Sequence, residues 1–124
     1  MKVFIIAEAG VNHNGSFDKA LDLIQVAKDA GADAVKFQTA VPELVMTRDA
    51  VKAEYQIQTT EENETQLEMV KKIHLPLDAY GKLKEKCDSL EIEFMSTAFH
   101  DVSIETLRKL GIKRVQFTWK RVQF

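Results

Sequence analysis

The sequence predicts an α/β fold in which the strands of a parallel sheet alternate with helices. Short apolar runs recur along the 124 residues, and segments with apolar side chains at helical spacing separate them. Glycine follows two of the helical segments, at Gly31 and Gly111, where helices commonly end. Because parallel neighbours need a crossover connection, this alternation favours right-handed β-α-β units.

The predicted elements can be placed along the chain with simple rules. The strands are expected at 2–7, 32–38, 92–97 and 112–117, and the helices after Ser16, over 61–73, from Pro76 to about 90 and after Asp101. Ser16 and Asp101 are the expected N-caps. The first run is apolar without a break, so a central strand buried on both faces is expected. A long polar stretch covers residues 39–60.

Length and composition restrict the architecture. Hydrophobic residues make up 45% and charged residues 29% of the chain, which is typical of a globular protein. The 124 residues are about half of the roughly 250 that a complete (β/α)8 barrel needs. An open doubly wound sheet and the first half of such a barrel both remain possible. No G-x-G-x-x-G follows the first strand, so dinucleotide binding has no support.

Charge and cysteine content exclude several classes of partner. The net charge of −2 gives no reason to expect a nucleic acid or an anionic membrane. The apolar run 3–7 is shorter than a secretory signal needs, and no segment has the roughly 20 apolar residues of a membrane span. The single cysteine, Cys87, lies on an apolar helical stripe. We expect a buried, unreactive thiol and a reducing cytoplasm.

Strand alternation brings four polar side chains together. Val35 and Phe37 share one face of the second strand, so Lys36 and Gln38 share the other. Glu8 and Thr97 are expected at the same level, at the ends of the first and third strands. The four polar side chains that meet are therefore Glu8, Lys36, Gln38 and Thr97. A carboxylate, an ammonium, an amide and a hydroxyl predict a site for an anionic, polyhydroxylated ligand at the carboxyl end of the sheet. The alternative is a structural ion pair between the glutamate and the lysine.

The polar loop after the first strand holds further candidates. Asn12 and Asn14 are candidate substrate-binding residues, and local backbone hydrogen bonding is the alternative role. We expect His13 to be a hydrogen-bonding residue rather than a metal ligand. His74 is expected to be solvated, and His100 lies near the rim of the third strand.

Several spaced motifs resemble the sialic acid synthase family, which includes the legionaminic and pseudaminic acid synthases and related spore-coat polysaccharide proteins. The opening phrase is IAEAGVNHNG at 6–15, and the similarity extends over essentially residues 1–114. The other matching phrases are AGADAVKFQT at 30–39, AEYQ at 53–56, QLEM at 66–69 and EFMST at 93–97.

The resemblance implies a (β/α)8 TIM barrel, of which this chain carries strands one to four of eight. It also implies condensation of phosphoenolpyruvate with an N-acetylated mannosamine-type sugar, giving a nine-carbon 2-keto sugar acid and phosphate by C–O cleavage. A divalent metal, Mn2+ or Mg2+, is implied as Lewis acid on the aldehyde, with ligands from strands that this chain lacks. The full-length family is expected to form homodimers.

The same resemblance assigns roles to individual residues. Lys36 and Thr97 would hold the carboxylate or phosphate of phosphoenolpyruvate. Glu8 would manage a proton or stabilise the oxocarbenium-like intermediate, which makes Glu8 and Lys36 the predicted catalytic pair. Gln38 and Tyr55 would hold the sugar.

Three positions depart from the family pattern. Ala98 replaces a proline, and His100 replaces an acidic residue. Gln116 stands where the family has a phosphoenolpyruvate-binding lysine, and the following serine-glycine turn is absent.

The end of the sequence contains a repeat. KRVQF at 113–117 recurs at 120–124. The sequence therefore divides into residues 1–117, the N-terminal half of a synthase barrel, and 118–124, an aberrant duplicated tail. We expect the chain alone to lack synthase activity. The alternative is a non-catalytic half-barrel that assembles with itself or with a complementary fragment.

Overall fold

The strands form one parallel sheet in sequential order. A computed structural model of the chain describes residues 2–45 and 65–117. Within these residues, β1 (Ile6–Gly10), β2 (Ala34–Thr39), β3 (Glu93–Ala98) and β4 (Val115–Phe117) lie in the order β1-β2-β3-β4. A doubly wound sheet reverses its strand order at a switch point, whereas a barrel wall does not. The sequential order therefore selects the barrel-type alternative.

Helices connect these strands and cover one face of the sheet. The described helices are α1 (Phe17–Asp29), α2 (Pro42–Val45), α3 (Gln66–Ile73), α4 (Ala79–Ser89) and α5 (Asp101–Lys109). Buried side chains of α1, α4 and α5 form the core with the helix-facing side of the strands: Ile24, Val35, Phe37, Tyr80, Leu83, Cys87, Phe94, Leu107. Phe37 and Phe94 stack at 5.9 Å between ring centroids, which locks β2 to β3 on this face.

Side-chain contacts between strands that are not neighbours indicate that the sheet is curved, with the helices on its convex side. Lys36 of β2 reaches across β3 and donates a hydrogen bond to Gln116 of β4. At the opposite end of the sheet, the Arg114 guanidinium lies 4.2 Å from the centre of the Phe4 ring, although these residues adjoin the first and fourth strands. Contacts of this kind between strands that are not neighbours fit the concave wall of a barrel.

Capping residues set the helix boundaries. Ser16 accepts a hydrogen bond from Lys19 N at 3.3 Å, and Gly31 follows α1 with φ +83°, as the sequence predicts. Thr65 and Glu68 form a reciprocal capping box at the start of α3. The expected N-cap of α5 was wrong by one residue. His100 is the cap, because its ring accepts from Ser103 N, and Asp101 is the first helical residue.

The prediction for β1 was wrong in both position and burial. The strand begins at Ile6 rather than at residue 2, and Val3 is 72% exposed. In the described part of the chain β1 pairs with β2 alone, so it is an edge strand. Its apolar start is exposed because no second neighbour covers it.

Two smaller expectations also change. The helix expected from Pro76 begins at Ala79, three residues later, since residues 77–78 form a turn. His74 is partly buried rather than solvated, and its Nδ1 donates to the carbonyl oxygen of Val70 at 3.0 Å. The AEYQ phrase and the duplicated tail lie outside the described residues. Among the described helices, none is long and apolar enough to cross a membrane.

Candidate functional site

A cleft opens at the carboxyl ends of the strands, where α/β folds with parallel strands place their ligands. Its volume is about 360 Å³, at the lower end of the range for small-molecule sites. The lining residues come from all four strands and from the loops that follow β1 and β3: Glu8, Gly10, Val11, Asn12, Lys36, Gln38, Thr97, Phe99, Gln116.

Lys36 is the central charge of the cleft. Its ammonium lies 2.9 Å from Glu8 Oε2 and donates a second hydrogen bond to Gln116 Oε1. An ammonium has three N–H groups, so one remains for a ligand. The Lys36 side chain is 17% exposed, whereas that of Glu8 is 50% exposed. The Lys36 side chain is therefore mostly buried and fixed by its two partners, while the Glu8 carboxylate is half exposed to the solvent in the cleft.

Strand register explains why these side chains meet. Glu8 pairs with Lys36 and Gln38 pairs with Thr97 across the sheet, so both pairs project from the concave face. Thr97 pairs in turn with Gln116. The predicted alternation along β2 is thus confirmed, with Val35 and Phe37 on the helix-facing side.

Gly10 allows the close approach of two site residues. The β1–β2 register shifts between Glu8 and Gly10, and Gly10 has φ +54°. A Cβ at this position would lie 3.2 Å from Glu8 Oε1 and 3.6 Å from Gln38 Nε2. A side chain here would crowd the Glu8 carboxylate and touch the Gln38 amide, so glycine suits both the backbone conformation and the shape of the cleft.

The loop after β1 forms consecutive turns that hold its backbone. Asn12 N donates to Ala9 O at 3.0 Å, and Asn14 N donates to Val11 O at 2.9 Å. Asn14 has φ +52°, a conformation that asparagine tolerates better than most residues. His13 is fully buried, and its Nδ1 accepts from Gly15 N at 3.0 Å, which fits the expected hydrogen-bonding role.

His13 and His74 tie this loop to the end of α3. Burial lowers the pKa of His13 below its ordinary value of 6.5, and the nearby His74 lowers it further. Burial also lowers the pKa of His74, while its hydrogen bond to Val70 opposes that shift. Both rings are therefore neutral at pH 7. A Cβ at Gly15 would lie 2.2 Å from the Lys72 carbonyl oxygen, which shows how tightly the loop packs on α3.

The structure brings together most of the predicted site residues. Glu8, Lys36, Gln38, Thr97 and Asn12 line the cleft. Asn14 does not line it, and its part in substrate binding stays a prediction. Tyr55 lies outside the described residues.

Sequence reasoning missed other lining residues, chiefly Gly10. It singled out Gln116 only through the resemblance, as the residue that stands where the family has a phosphoenolpyruvate-binding lysine. Alternation along β4 could have placed Gln116 beside Thr97 on the concave face. The register shift in β1 brings Gly10 into the cleft, and apart from the glycine itself no sequence pattern predicts this shift.

The described residues do not fit a divalent metal. The cleft offers one carboxylate, Glu8, which is already paired with Lys36, and otherwise amide and hydroxyl groups. No group of three or more metal-binding side chains occurs in the described part of the chain. The metal that the resemblance implies would need ligands from elsewhere.

A second cavity, of about 390 Å³, lies at the amino ends of the strands. Four charged groups of its lining are used in ion pairs: Asp33 with Lys2 at 3.2 Å, Glu93 with Arg114 at 2.6 Å, and Lys84 with Asp88 at 2.8 Å. The amino end of a barrel commonly serves stability, so we place the functional site at the carboxyl end.

Cys87 is excluded as a nucleophile. Burial raises the pKa of its thiol to about 12, and the neighbouring Asp88 adds to the rise. The thiol is therefore protonated and fully buried, as the sequence predicts.

A parallel, sequentially ordered sheet with a lysine-centred cleft at its carboxyl ends defines a segment of a TIM-barrel-type enzyme fold. Comparison with known proteins is more specific. Residues 23–118 match the model of the NeuB family, and the chain belongs to this family.

Two of the individual relatives are synthases of the same name. The chain is 48% identical over 116 residues to N,N'-diacetyllegionaminic acid synthase of Legionella pneumophila, with 94% of this chain and 33% of that protein covered. It is 46% identical over 112 residues to the Campylobacter jejuni enzyme of the same name, with 90% and 34% covered. The chain thus spans about a third of these relatives.

A solved structure agrees with the fold. The N-acetylneuraminic acid (sialic acid) synthetase of Leptospira borgpetersenii superposes with a TM-score of 0.69 at 31% identity, over 93% of this chain and 35% of that one. The barrel-type fold and the family resemblance are therefore both confirmed.

Proposed function

We propose that this chain forms part of the phosphoenolpyruvate site of a synthase that condenses phosphoenolpyruvate with an N-acetylated mannosamine-type sugar. The products would be a nine-carbon 2-keto sugar acid and phosphate. The observation that carries the proposal is the Lys36 ammonium. It lies in a cleft at the carboxyl ends of the strands, with one N–H left for an anion after Glu8 and Gln116 are satisfied.

The chemistry assigns each group a task. The enol carbon of phosphoenolpyruvate attacks the aldehyde carbon of the open-chain sugar, a C–C bond forms as the C=O π bond breaks, and the former aldehyde oxygen takes up a proton to become a hydroxyl. The oxocarbenium-like cation that results takes up water, loses a proton and expels phosphate with C–O cleavage. Lys36 and Thr97 hold the carboxylate or the phosphate before the reaction, so that no charge has to be reorganised during it.

Glu8 is placed to handle the charge and the proton. Its carboxylate lies beside Lys36 but is half exposed to the cleft, so it can stabilise the cation or accept the proton of the attacking water. Gln38 projects from the same face and would hold the sugar, together with Tyr55. Asn12 lines the cleft and would add a further amide contact.

One lysine cannot neutralise a ligand that bears both a carboxylate and a phosphate. Lys36 is the one basic side chain in the described lining of the cleft, and Glu8 already offsets its charge. We therefore propose that the chain alone binds phosphoenolpyruvate weakly and has no synthase activity. The divalent metal would be bound outside the described residues. A cytoplasmic homodimer, without nucleic-acid or membrane partners, completes the proposal.

Binding of phosphoenolpyruvate tests this function. We expect NMR titration of the chain to shift the backbone amides of Lys36 and Thr97. Lys36→Met should weaken binding at least tenfold, because it removes the only cation of the described lining. Lys82→Met is the matched control, since Lys82 is exposed on α4 and outside the cleft lining. Equal affinity in both variants would contradict the proposal.

Activity is tested separately. The chain incubated with phosphoenolpyruvate, N-acetylmannosamine and Mn2+ should release phosphate no faster than the mixture without protein. Turnover above that rate would refute the proposed lack of activity.

The exposed start of β1 supports a second candidate, a non-catalytic half-barrel that assembles with another copy. Val3 is 72% and Ile5 54% exposed, and β1 leaves one edge unpaired in the described part of the chain. Light scattering after size-exclusion chromatography tests it. We expect an assembled species that Ile5→Lys dissociates, and a purely monomeric protein would exclude this candidate.

A further inference from the structure

Three fully buried hydroxyl groups lie behind the cleft. Tyr80 of α4 donates a hydrogen bond to the carbonyl oxygen of Gln38 at 2.7 Å. Thr39 Oγ1 of β2 lies 2.6 Å from Ser96 Oγ of β3. These side chains are on the convex, helix-facing side of the sheet, so none of them lines the cleft.

The hydroxyl groups form one hydrogen-bonded chain. Burial raises the pKa of Tyr80 well above its usual range, so the phenol keeps its proton and donates it to the Gln38 carbonyl. A hydrogen bond with Thr39 opposes this rise. Either hydroxyl of the Thr39–Ser96 pair can be the donor, and Ser96 Oγ also lies 3.5 Å from the Thr97 carbonyl oxygen, to which it can donate. Connected hydrogen bonds strengthen each other in a low-dielectric interior.

These three hydroxyl groups hold the backbone at the strand positions whose side chains face the cleft. Gln38 pairs with Thr97 in the sheet, and Thr39 and Ser96 are their immediate neighbours in sequence. Tyr80 holds the carbonyl group of Gln38, and the contact between Thr39 and Ser96 holds β2 to β3. Together these contacts fix the direction in which the side chains of Gln38 and Thr97 project. Displacements of about 0.5 Å matter in binding sites, so such support has functional weight.

We propose that Tyr80, Thr39 and Ser96 are positioning residues, which set Gln38 and Thr97 for a ligand that carries a carboxylate and a phosphate. This inference rests on the proposed function for the identity of the ligand. It assigns a role to three residues on the helix-facing side of the sheet, none of which lines the cleft.

Phosphoenolpyruvate is the probe, and NMR titration of the whole chain is the measurement. We expect Tyr80→Phe and Thr39→Val to weaken binding threefold to tenfold, whereas Thr39→Ser, which keeps the hydroxyl, restores it. Cys87→Ala is the control, because Cys87 is equally buried on α4 but lies away from the hydroxyl chain. It should lose stability without losing affinity.

The first result that would overturn the inference is wild-type affinity for phosphoenolpyruvate in both Tyr80→Phe and Thr39→Val. If Tyr80→Phe does not fold, the comparison of Thr39→Val with Thr39→Ser decides alone.

If the wild-type chain does not bind phosphoenolpyruvate, the proposed function fails for this chain, and amide hydrogen exchange decides the positioning role. Exchange at Gln38 and Thr97 should then be faster in Thr39→Val than in a Cys87→Ala protein of matched stability. Equal exchange in the two variants is the second result that would overturn the inference.

Discussion

Substitution of Gly10 by alanine should separate the shape of the cleft from the stability of the fold. Gly10 and Gly31 both have positive φ, at +54° and +83°. They differ in surroundings, because a Cβ at Gly31 would meet no atom within 4 Å, whereas one at Gly10 would meet Glu8 and Gln38. Gly31→Ala is therefore a matched control for the backbone cost alone.

The magnitude follows from these distances. An alanine in the left-handed region costs roughly 1–2 kcal/mol. For a chain of 124 residues this lowers Tm by about 3–6 °C per kcal/mol. At Gly10 the methyl group would lie 3.2 Å from Glu8 Oε1 and 3.6 Å from Gln38 Nε2. Both atoms end flexible side chains, so their displacement adds only about 0.5 kcal/mol.

Thermal unfolding and side-chain NMR check this expectation. Both variants should lose stability to the same extent, within about 1 kcal/mol. Only Gly10→Ala should shift the side-chain amide resonance of Gln38 and weaken phosphoenolpyruvate binding. An unchanged Gln38 resonance in Gly10→Ala would show that our account of this glycine is wrong. A loss of stability far beyond that of Gly31→Ala would show that Glu8 and Gln38 cannot move aside.

Three further predictions concern helix capping, pH and charge. Thr65→Ala should destabilise the chain by about 1 kcal/mol in urea unfolding, whereas Asp78→Ala should have little effect, since Asp78 makes no side-chain capping bond; equal losses would contradict this. The free energy of unfolding should fall as pH drops below 6.5, because the pKa values of His13 and His74 are lowered in the folded state and unfolding therefore takes up protons in this pH range. His74→Gln should make the free energy of unfolding less dependent on pH. An unchanged slope in this variant would contradict the prediction. Gln116→Lys adds a second ammonium to the cleft and should tighten phosphoenolpyruvate binding severalfold at low salt, an effect that added salt removes if it is electrostatic.

Much of the fold follows from local patterns in the sequence. The alternation of apolar runs and helical stripes gives the element order, and Ser16 and Gly31 mark the ends of α1. The burial of β1 could not be predicted in this way. An apolar run looks the same at the centre of a sheet and at its edge, and only the pairing partners decide between them.

The site was predicted where it depends on alternation along a strand. Lys36 and Gln38 share a face in any regular strand, and register then brings Glu8 and Thr97 beside them. The contact between Lys36 and Gln116 depends on the curvature of the whole sheet, which no short stretch of sequence encodes. His74 was misjudged for a similar reason, because it lies near His13, whose loop is about sixty residues earlier in the sequence and packs against the end of α3.

The sequential strand order also has a consequence for folding during synthesis. Each described strand pairs with the strand before it in the chain, so no described pairing waits for a distant later segment. As the ribosome releases the chain, β2 can dock on β1, and β3 on β2, while the remainder is still being made. Lys36 would contact Glu8 as soon as β2 docks on β1, whereas it would contact Gln116 only after β4 has docked.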